Sequence, residues 1–198
     1  MKLVLASNNP GKLREIRALL PPSLEVLLQK DLGIAEAEEP HPTFIENALA
    51  KARHASRAAR LPALADDSGL CVAALGGEPG VHSAYYAGRA GSREERDAHN
   101  NEKLLACLGD RRPAVYYCVM VFLRHAEDPR PLIAEGLWHG EIARSPRGAN
   151  GFGYDPLFFV PGLGKTAAEL APAEKNRISH RAAALRHLLE MLNAVDRA

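Results

Sequence analysis

Leu61-Pro62-Ala63-Leu64-Ala65-Asp66-Asp67-Ser68-Gly69-Leu70 sets a short apolar run directly against two adjacent carboxylates, a hydroxyl and a glycine. The run from Leu61 to Ala65 reads as a strand that delivers Asp66 and Asp67 to its end. Adjacent like charges repel, so a folded chain keeps them together where something positive lies beside them. A divalent cation such as Mg²⁺, held by one or two carboxylates and substrate phosphates, is the natural candidate. A solvated turn is the competing reading, because Asp, Ser and Gly are ordinary turn residues.

Upstream, Lys2 to Ala6 is a second short apolar run, ended by the loop residues Ser7-Asn8-Asn9-Pro10-Gly11-Lys12. Leu13, Ile16, Leu19 and Leu20 follow at helical spacing until Pro21-Pro22 stops them. Asn9 is placed to cap this helix with Pro10 at its first position. The N-terminal unit is therefore strand, polar loop, helix. Its loop N–H groups and helix dipole make an anion site. Lys12 and Arg14 fall in the first turn, where a cation is unfavourable by about 0.3–1 kcal/mol unless an anion joins it. A capped helix with solvated basic residues is the plainer alternative.

Leu24 to Leu28 reads as a strand, and Ile34 to Pro42 as an acidic connector carrying Glu36, Glu38 and Glu39. Thr43-Phe44-Ile45-Glu46 is a capping box that opens a helix running to about Ala59. Asn47 and Lys51 share one face of it. Beyond the acidic pair, Gly76 to Gly80 is a turn cluster, and Glu94 to Leu108 is predicted to be helical. Val115 to Leu123 reads as a buried strand, with Leu132 to Ile142 returning as its partner.

The C-terminal third is rich in glycine and proline. In Gly151-Phe152-Gly153-Tyr154-Asp155-Pro156, glycines flank an aromatic ring, which lets backbone approach a flat ligand while the ring stacks on it. A glycine-rich loop around a buried aromatic anchor fits the same residues. Gly164-Lys165-Thr166 ends like a phosphate-binding P-loop, but Phe159 stands where the first glycine is required. A final helix is predicted from Ser179 to Val195, with Ala182, Leu185, Leu188, Leu189, Leu192 and Val195 on its buried face and Ser179 as N-cap. Lys175, Arg177, His180 and Arg181 load its start with cationic side chains. Two such helix starts, a carboxylate pair and a glycine-flanked aromatic together point to a nucleotide with a metal.

Composition narrows the classes. A chain of 198 residues with 46% hydrophobic and 25% charged residues is an ordinary globular protein, one domain or two lobes sharing a sheet. A net charge of +1 gives no reason to expect bulk binding to nucleic acid or an acidic membrane. Three cysteines, Cys71, Cys107 and Cys118, lack C-x-x-C spacing and argue against a disulfide framework or a zinc knuckle. No apolar run reaches the roughly 18 residues that span a bilayer. The N-terminus is too short for a signal peptide before its first strand. A cytoplasmic location is expected.

Ser7 to Lys12, Thr43-Phe44-Ile45-Glu46-Asn47-Ala48 with Lys51-Ala52, Ala65 to Leu70, Gly151 to Pro156, and Lys175 with Ser179-His180-Arg181 occur in one order along almost the whole chain. In this the sequence resembles the inosine triphosphate pyrophosphatase family, also called dITP/XTP pyrophosphatases. The resemblance implies an α/β fold over residues 1–198, a long bent mixed central sheet flanked by helices, with two lobes and a substrate cleft between them. It implies a homodimer and Mg²⁺-assisted hydrolysis of ITP, dITP or XTP to the monophosphate and pyrophosphate. By the same resemblance Asp67 is the general base and a metal ligand, and Glu39 and Asp66 complete the metal's carboxylate shell. Ser7, Asn8, Asn9, Pro10, Gly11, Lys12, Lys51 and Ser68 hold the triphosphate. Phe152 stacks on the base, Gly153 and Tyr154 belong to the same substrate-binding run, and Asp155, Lys175, His180 and Arg181 contact the base and sugar. One departure stands out: members commonly carry Ser-Ala-Arg-Tyr where this chain has Ser83-Ala84-Tyr85-Tyr86. A related pyrophosphatase acting on modified pyrimidine or methylated nucleotides, and a non-catalytic nucleotide-binding protein, are the competing classes.

Overall fold

The computed structural model describes residues 1–195, with side chains through Ala194. The Val195 side chain, expected on the buried face of the last helix, lies outside the described residues. Among the described residues seven strands form one mixed sheet: β1 (Lys2–Ala6), β2 (Glu25–Leu28), β3 (Ala63–Val72), β4 (Pro113–Leu123), β5 (Leu132–Ile142), β6 (Phe158–Val160) and β7 (Lys165–Thr166). Their order is β2-β1-β3-β4-β5-β6-β7. β1 runs parallel to β2 and β3, while β6 is antiparallel to β5 and β7. Among the described residues five α-helices flank the sheet: α1 (Pro10–Leu19), α2 (Phe44–Ala59), α3 (Arg93–Cys107), α4 (Pro172–Ile178) and α5 (His180–Val195). Among the described residues, no helix is long and apolar enough to cross a membrane.

The chain divides into two compact units, each with its own core. The first comprises Met1–Asp67, Cys118–Gly136 and the chain from His180 on. β1 lies at its centre, with Leu3, Val4 and Leu5 at most 1% exposed. Burying each such side chain contributes about 1.5–3 kcal/mol. Leu13 and Ile16 of α1 and Ala184, Leu185 and Leu188 of α5 fill the same core, and the two helices pack on each other. Ala48, Ala52 and Ala55 give α2 a face of buried alanines, and this helix packs against β1. Small side chains there allow close approach of helix and strand.

The second unit comprises Ser68–Tyr117 and Leu137–Ser179. Its core gathers Leu70, Leu104, Tyr116, Trp138, Tyr154, Leu157 and Phe158. The Tyr116 and Phe158 ring centroids lie 4.4 Å apart, and those of Trp138 and Phe158 5.0 Å apart. Offset aromatic pairs at that range add about 0.5–1.5 kcal/mol beyond area burial.

Several local expectations change. The strand carrying the acidic pair does not end there: β3 continues to Val72, so Asp66 and Asp67 sit within it. The reason is register. β1 pairs with β3 only at Ala63–Ala65 and then stops at Ala6, leaving β3 to run on past the end of its parallel neighbour. The short helix α4 is not legible in the periodicity, and Ser179 closes α4 immediately before α5 begins. α3 starts at Arg93, under a full capping box made by Ser92 and Glu95. The Thr43 cap is half a box: Thr43 Oγ1 accepts from the Glu46 N–H, while its hydroxyl donates to the Glu46 carboxylate at 2.5 Å.

Candidate active site

In the first unit, alternation along β3 sends Asp66 and Asp67 to opposite faces. Their partners follow that division. Asp66, 1% exposed, meets Lys12 of α1 at 3.0 Å and Arg181 of α5 at 3.3 Å. Arg181 is also ion-paired with Glu15 of α1. Burial works against ionising Asp66, but Lys12, Arg181 and Lys51 overcome it and hold the carboxyl below the usual range. The anion that the cationic first turn of α1 calls for is therefore supplied, at Lys12, by this carboxylate.

Asp67 turns to α2 instead. Its Oδ1 accepts from Lys51 Nζ at 2.8 Å, and Lys51 also lies 3.4 Å from Glu39. Burial pushes the Asp67 carboxyl up from its ordinary value, with Lys51 and Lys12 pulling the other way and Glu39 adding to the rise. The Lys51 ammonium is pulled down by burial, yet Asp67, Glu39 and Asp66 outweigh that and raise it. The second Asp67 oxygen, Oδ2, is buried with no hydrogen-bond partner among the described residues. An unsatisfied buried polar atom costs about 1–3 kcal/mol. Asp67 thus holds a poised, raised acid–base group with an open lone-pair site.

Glu39 owes its place to the connector around it. His54 Nε2 bonds the Ala35 carbonyl at 2.9 Å. Asn47 accepts from the His41 N–H and donates to the His41 carbonyl, both at 3.0 Å. The acidic segment is therefore strapped along α2, not a free solvated loop, and the Glu39 side chain keeps 46% exposure beside Lys51.

The β1–α1 loop is ordered by its own side chains. Asn9 Oδ1 caps α1 by accepting from Gly11 N–H at 3.0 Å and Lys12 N–H at 3.1 Å. Such a cap contributes about 1 kcal/mol. Ser7 Oγ accepts from the Asn9 N–H at 3.2 Å, and Asn8 Oδ1 from Gln29 Nε2 at 3.2 Å. Pro10 occupies the first helical position. His180 opens α5 at 4% exposure. Gly136 of β5 makes that position possible: a Cβ there would lie 2.0 Å from the His180 carbonyl oxygen.

In the second unit, Ser68 continues β3, half-buried, after Asp67. Phe152 is half-buried, with Lys175 Nζ 5.0 Å and Arg93 Cζ 5.1 Å from its ring centroid. Asp155, 2% exposed, accepts from the Phe152 N–H at 2.9 Å, from Lys175 at 2.5 Å and from the Tyr116 hydroxyl at 3.3 Å. Gly151 has a positive φ of 77°, and any Cβ there would sit 2.0 Å from Asp155 Oδ2. Gly153 N–H donates to Asp97 Oδ2, and the Tyr154 hydroxyl to the Ser83 carbonyl, each at 2.9 Å. Tyr85, at the family departure, is 39% exposed, with Arg89 4.1 Å and Arg96 5.6 Å from its ring centroid.

Arg181, 2% exposed, is engaged by Glu15 and Asp66, and Asp155 is engaged by three donors of its own unit. Both brace neighbouring groups. Asp66 Oδ2 is likewise engaged, by Lys12 and Arg181. Among the described residues no three His, Cys, Asp or Glu side chains are gathered as a ready metal cage. Asp67 and Glu39 do fit a hard cation: both carboxylates lie against the Lys51 ammonium, and Asp67 Oδ2 still wants a partner. Glu15, Arg93, Asp97 and Asn101 were not expected at these sites. For Arg93, Asp97 and Asn101 the signal in the sequence is the Ser92-x-x-Glu95 capping box, which starts the helix that carries them.

Comparison with known proteins places the chain. The Ham1 family model matches residues 3–191. The dITP/XTP pyrophosphatase of Burkholderia pseudomallei (strain K96243) is 63% identical over 98% of this chain and 94% of its own length. That of Ralstonia nicotianae is 62% identical over 100% and 99%. A solved HAM1 protein from Coxiella burnetii superposes with a TM-score of 0.89 at 47% identity, covering 98% of this chain and 99% of that one. Match, identity and architecture agree over nearly the full length, and the chain belongs to the Ham1 family.

Proposed function

We propose that this protein hydrolyses non-standard purine nucleoside triphosphates (ITP, dITP and XTP) to the monophosphate and pyrophosphate, clearing them from the nucleotide pool. The observation that carries the reading is Asp67: a buried carboxylate raised in pKa, bonded to Lys51 on one oxygen and open on the other. Relatives at 62–63% identity are named dITP/XTP pyrophosphatases, which supports the same chemistry.

Asp67 takes a proton from a water as the water oxygen bonds to the α-phosphorus. The bond from that phosphorus to the pyrophosphate oxygen breaks, and the leaving group carries away the electron pair. A carboxylate with raised affinity for protons is a better base near neutral pH. Lys51, bridging Asp67 and Glu39, and Lys12 are the cations at hand for the triphosphate, with the Ser7 to Lys12 loop and Ser68. Asp67 and Glu39 would hold Mg²⁺. Bound there, the ion neutralises charge on phosphate oxygens. Asp66 and Arg181 act by positioning Lys12 and the start of α5. The base and sugar are assigned to Phe152, Gly153, Tyr154, Lys175 and His180, with Asp155 holding the Phe152 loop through the Phe152 N–H. Both units serve as one enzymatic domain, in a cytoplasmic homodimer.

The test is pyrophosphate release from ITP, XTP, GTP and ATP, with Mg²⁺ or EDTA, for wild type and Asp67→Asn. Release from ITP and XTP that needs Mg²⁺ and disappears in the variant is expected. Equal turnover of all four would defeat the base assignment, and undiminished turnover by Asp67→Asn would defeat the mechanism.

A further inference from the structure

The two peptide N–H groups that flank the Phe152 Cα both end on carboxylates. The Phe152 N–H donates to Asp155 Oδ2, within the same loop. The Gly153 N–H donates to Asp97 Oδ2 of α3 at 2.9 Å. Asn101, one turn further along α3, donates from Nδ2 to the Gly153 carbonyl, also at 2.9 Å. Asn101 Nδ2 is itself aligned by the Asp97 carbonyl at 2.7 Å, and Asn101 is only 9% exposed. Both main-chain polar groups of Gly153 are therefore taken by side chains of one helix. Gly153 has a φ of 63°, so the loop bends sharply at that residue. The Asp97 carboxylate also lies 3.9 Å from Arg93 Nε, and the Arg93 guanidinium lies over the Phe152 ring.

A loop bent through positive φ and fixed from outside at both polar groups has few ways to rotate. With the peptides on each side of Phe152 anchored, the direction of its Cα–Cβ bond is set before any ligand arrives. Pre-organisation of that kind improves affinity by reducing the ordering needed on binding. We propose that Asp97 and Asn101 are positioning residues for base recognition, acting through Gly153 to hold the Phe152 ring. The inference rests on the assignment of Phe152 to the base.

The experiment compares kcat/KM for ITP and for ATP in Asp97→Ala, Asp97→Asn, Asn101→Ala and Phe152→Ala, with the melting temperature of each. Losing a hydrogen bond to a charged group corresponds to a roughly tenfold effect on an affinity. Both alanine variants on α3 should lose about tenfold in preference for ITP over ATP, mainly through KM for ITP. Asp97→Asn keeps an oxygen for the Gly153 N–H and should retain the preference within about threefold. The two positions are independent, so a variant that fails to fold leaves the other to decide. An unchanged ITP preference in both alanine variants, or an equal fall for both nucleotides, overturns the proposal. A wild type without ITP preference, or a Phe152→Ala variant that keeps it, overturns the base assignment instead.

Discussion

Asp66→Asn and Asp67→Asn are adjacent, isosteric substitutions, and their consequences should separate cleanly. Asp66 is 1% exposed and faces Lys12, 14% exposed at its side chain, and Arg181, 2% exposed. Replacing the carboxylate by an amide strands two cations in a buried setting. Breaking a buried pair by removing one partner costs about 3–5 kcal/mol. Arg181 keeps Glu15, so the lower end applies, about 3 kcal/mol. For a chain of this size 1 kcal/mol shifts Tm by about 2–4 °C, giving a fall of roughly 6–12 °C. Asp67 differs: burial already disfavours its charge, and Lys51 keeps Glu39 when Asp67 is neutralised. Its substitution should move Tm by less than about 3 °C while removing the roughly 10²–10⁴-fold contribution of a general base. Differential scanning calorimetry and pyrophosphate release measure the two effects. An Asp66→Asn protein that melts within 2 °C of wild type, on the scale of about 2–4 °C per kcal/mol, would refute the division of labour along β3.

Three further outcomes follow from other parts of the molecule. Gly136→Ala sets a Cβ 2.0 Å from the His180 carbonyl and should destabilise by about 3 kcal/mol in urea unfolding, whereas Gly162→Ala, with open space around it, should stay within about 0.5 kcal/mol. Asp128 in the β4–β5 connection accepts from the Arg124 side chain and from the backbone N–H groups of Arg124 and Arg130, which hold it below the usual carboxylate range. A depressed folded-state pKa stabilises above the unfolded value of about 3.9 and is lost as pH falls through the folded one. Asp128→Asn should therefore melt below wild type at pH 7, and the difference should shrink as pH drops under about 4; a constant gap down to pH 2 would contradict the pairing. Finally, Glu39→Gln should raise the Mg²⁺ concentration needed for half-maximal pyrophosphate release by about tenfold, the factor that 1.4 kcal/mol represents, with Tm unchanged because Glu39 is half exposed.

What the sequence disclosed and what it hid divide along a physical line. Local chemistry was legible: Asn9 and Pro10 start α1, Thr43 starts α2, and apolar runs mark β1, β2, β4 and β5, because caps and periodicity act within a few residues. The acidic pair was legible as a site but not as a geometry. Read linearly, Asp66 and Asp67 look like one bidentate unit that needs a shared cation. A strand alternates, so they face α1 with α5 and α2 respectively, and each has its own lysine. The repulsion that seemed to demand a metal is relieved by the fold itself, and the case for a cation rests on the Asp67 oxygen that remains without a partner. Arg181 and Asp155 have partners in the fold that their motifs do not show. A charged residue in a motif looks like a ligand contact, yet one buried to 2% must first satisfy its own charge, and each does so with neighbours distant in sequence. Glu15, Asp97 and Asn101 carry no motif at all. Their importance arises from which carbonyls, amides and guanidinium groups the folded chain brings to them, and that is a property of tertiary packing that no spacing in the sequence encodes.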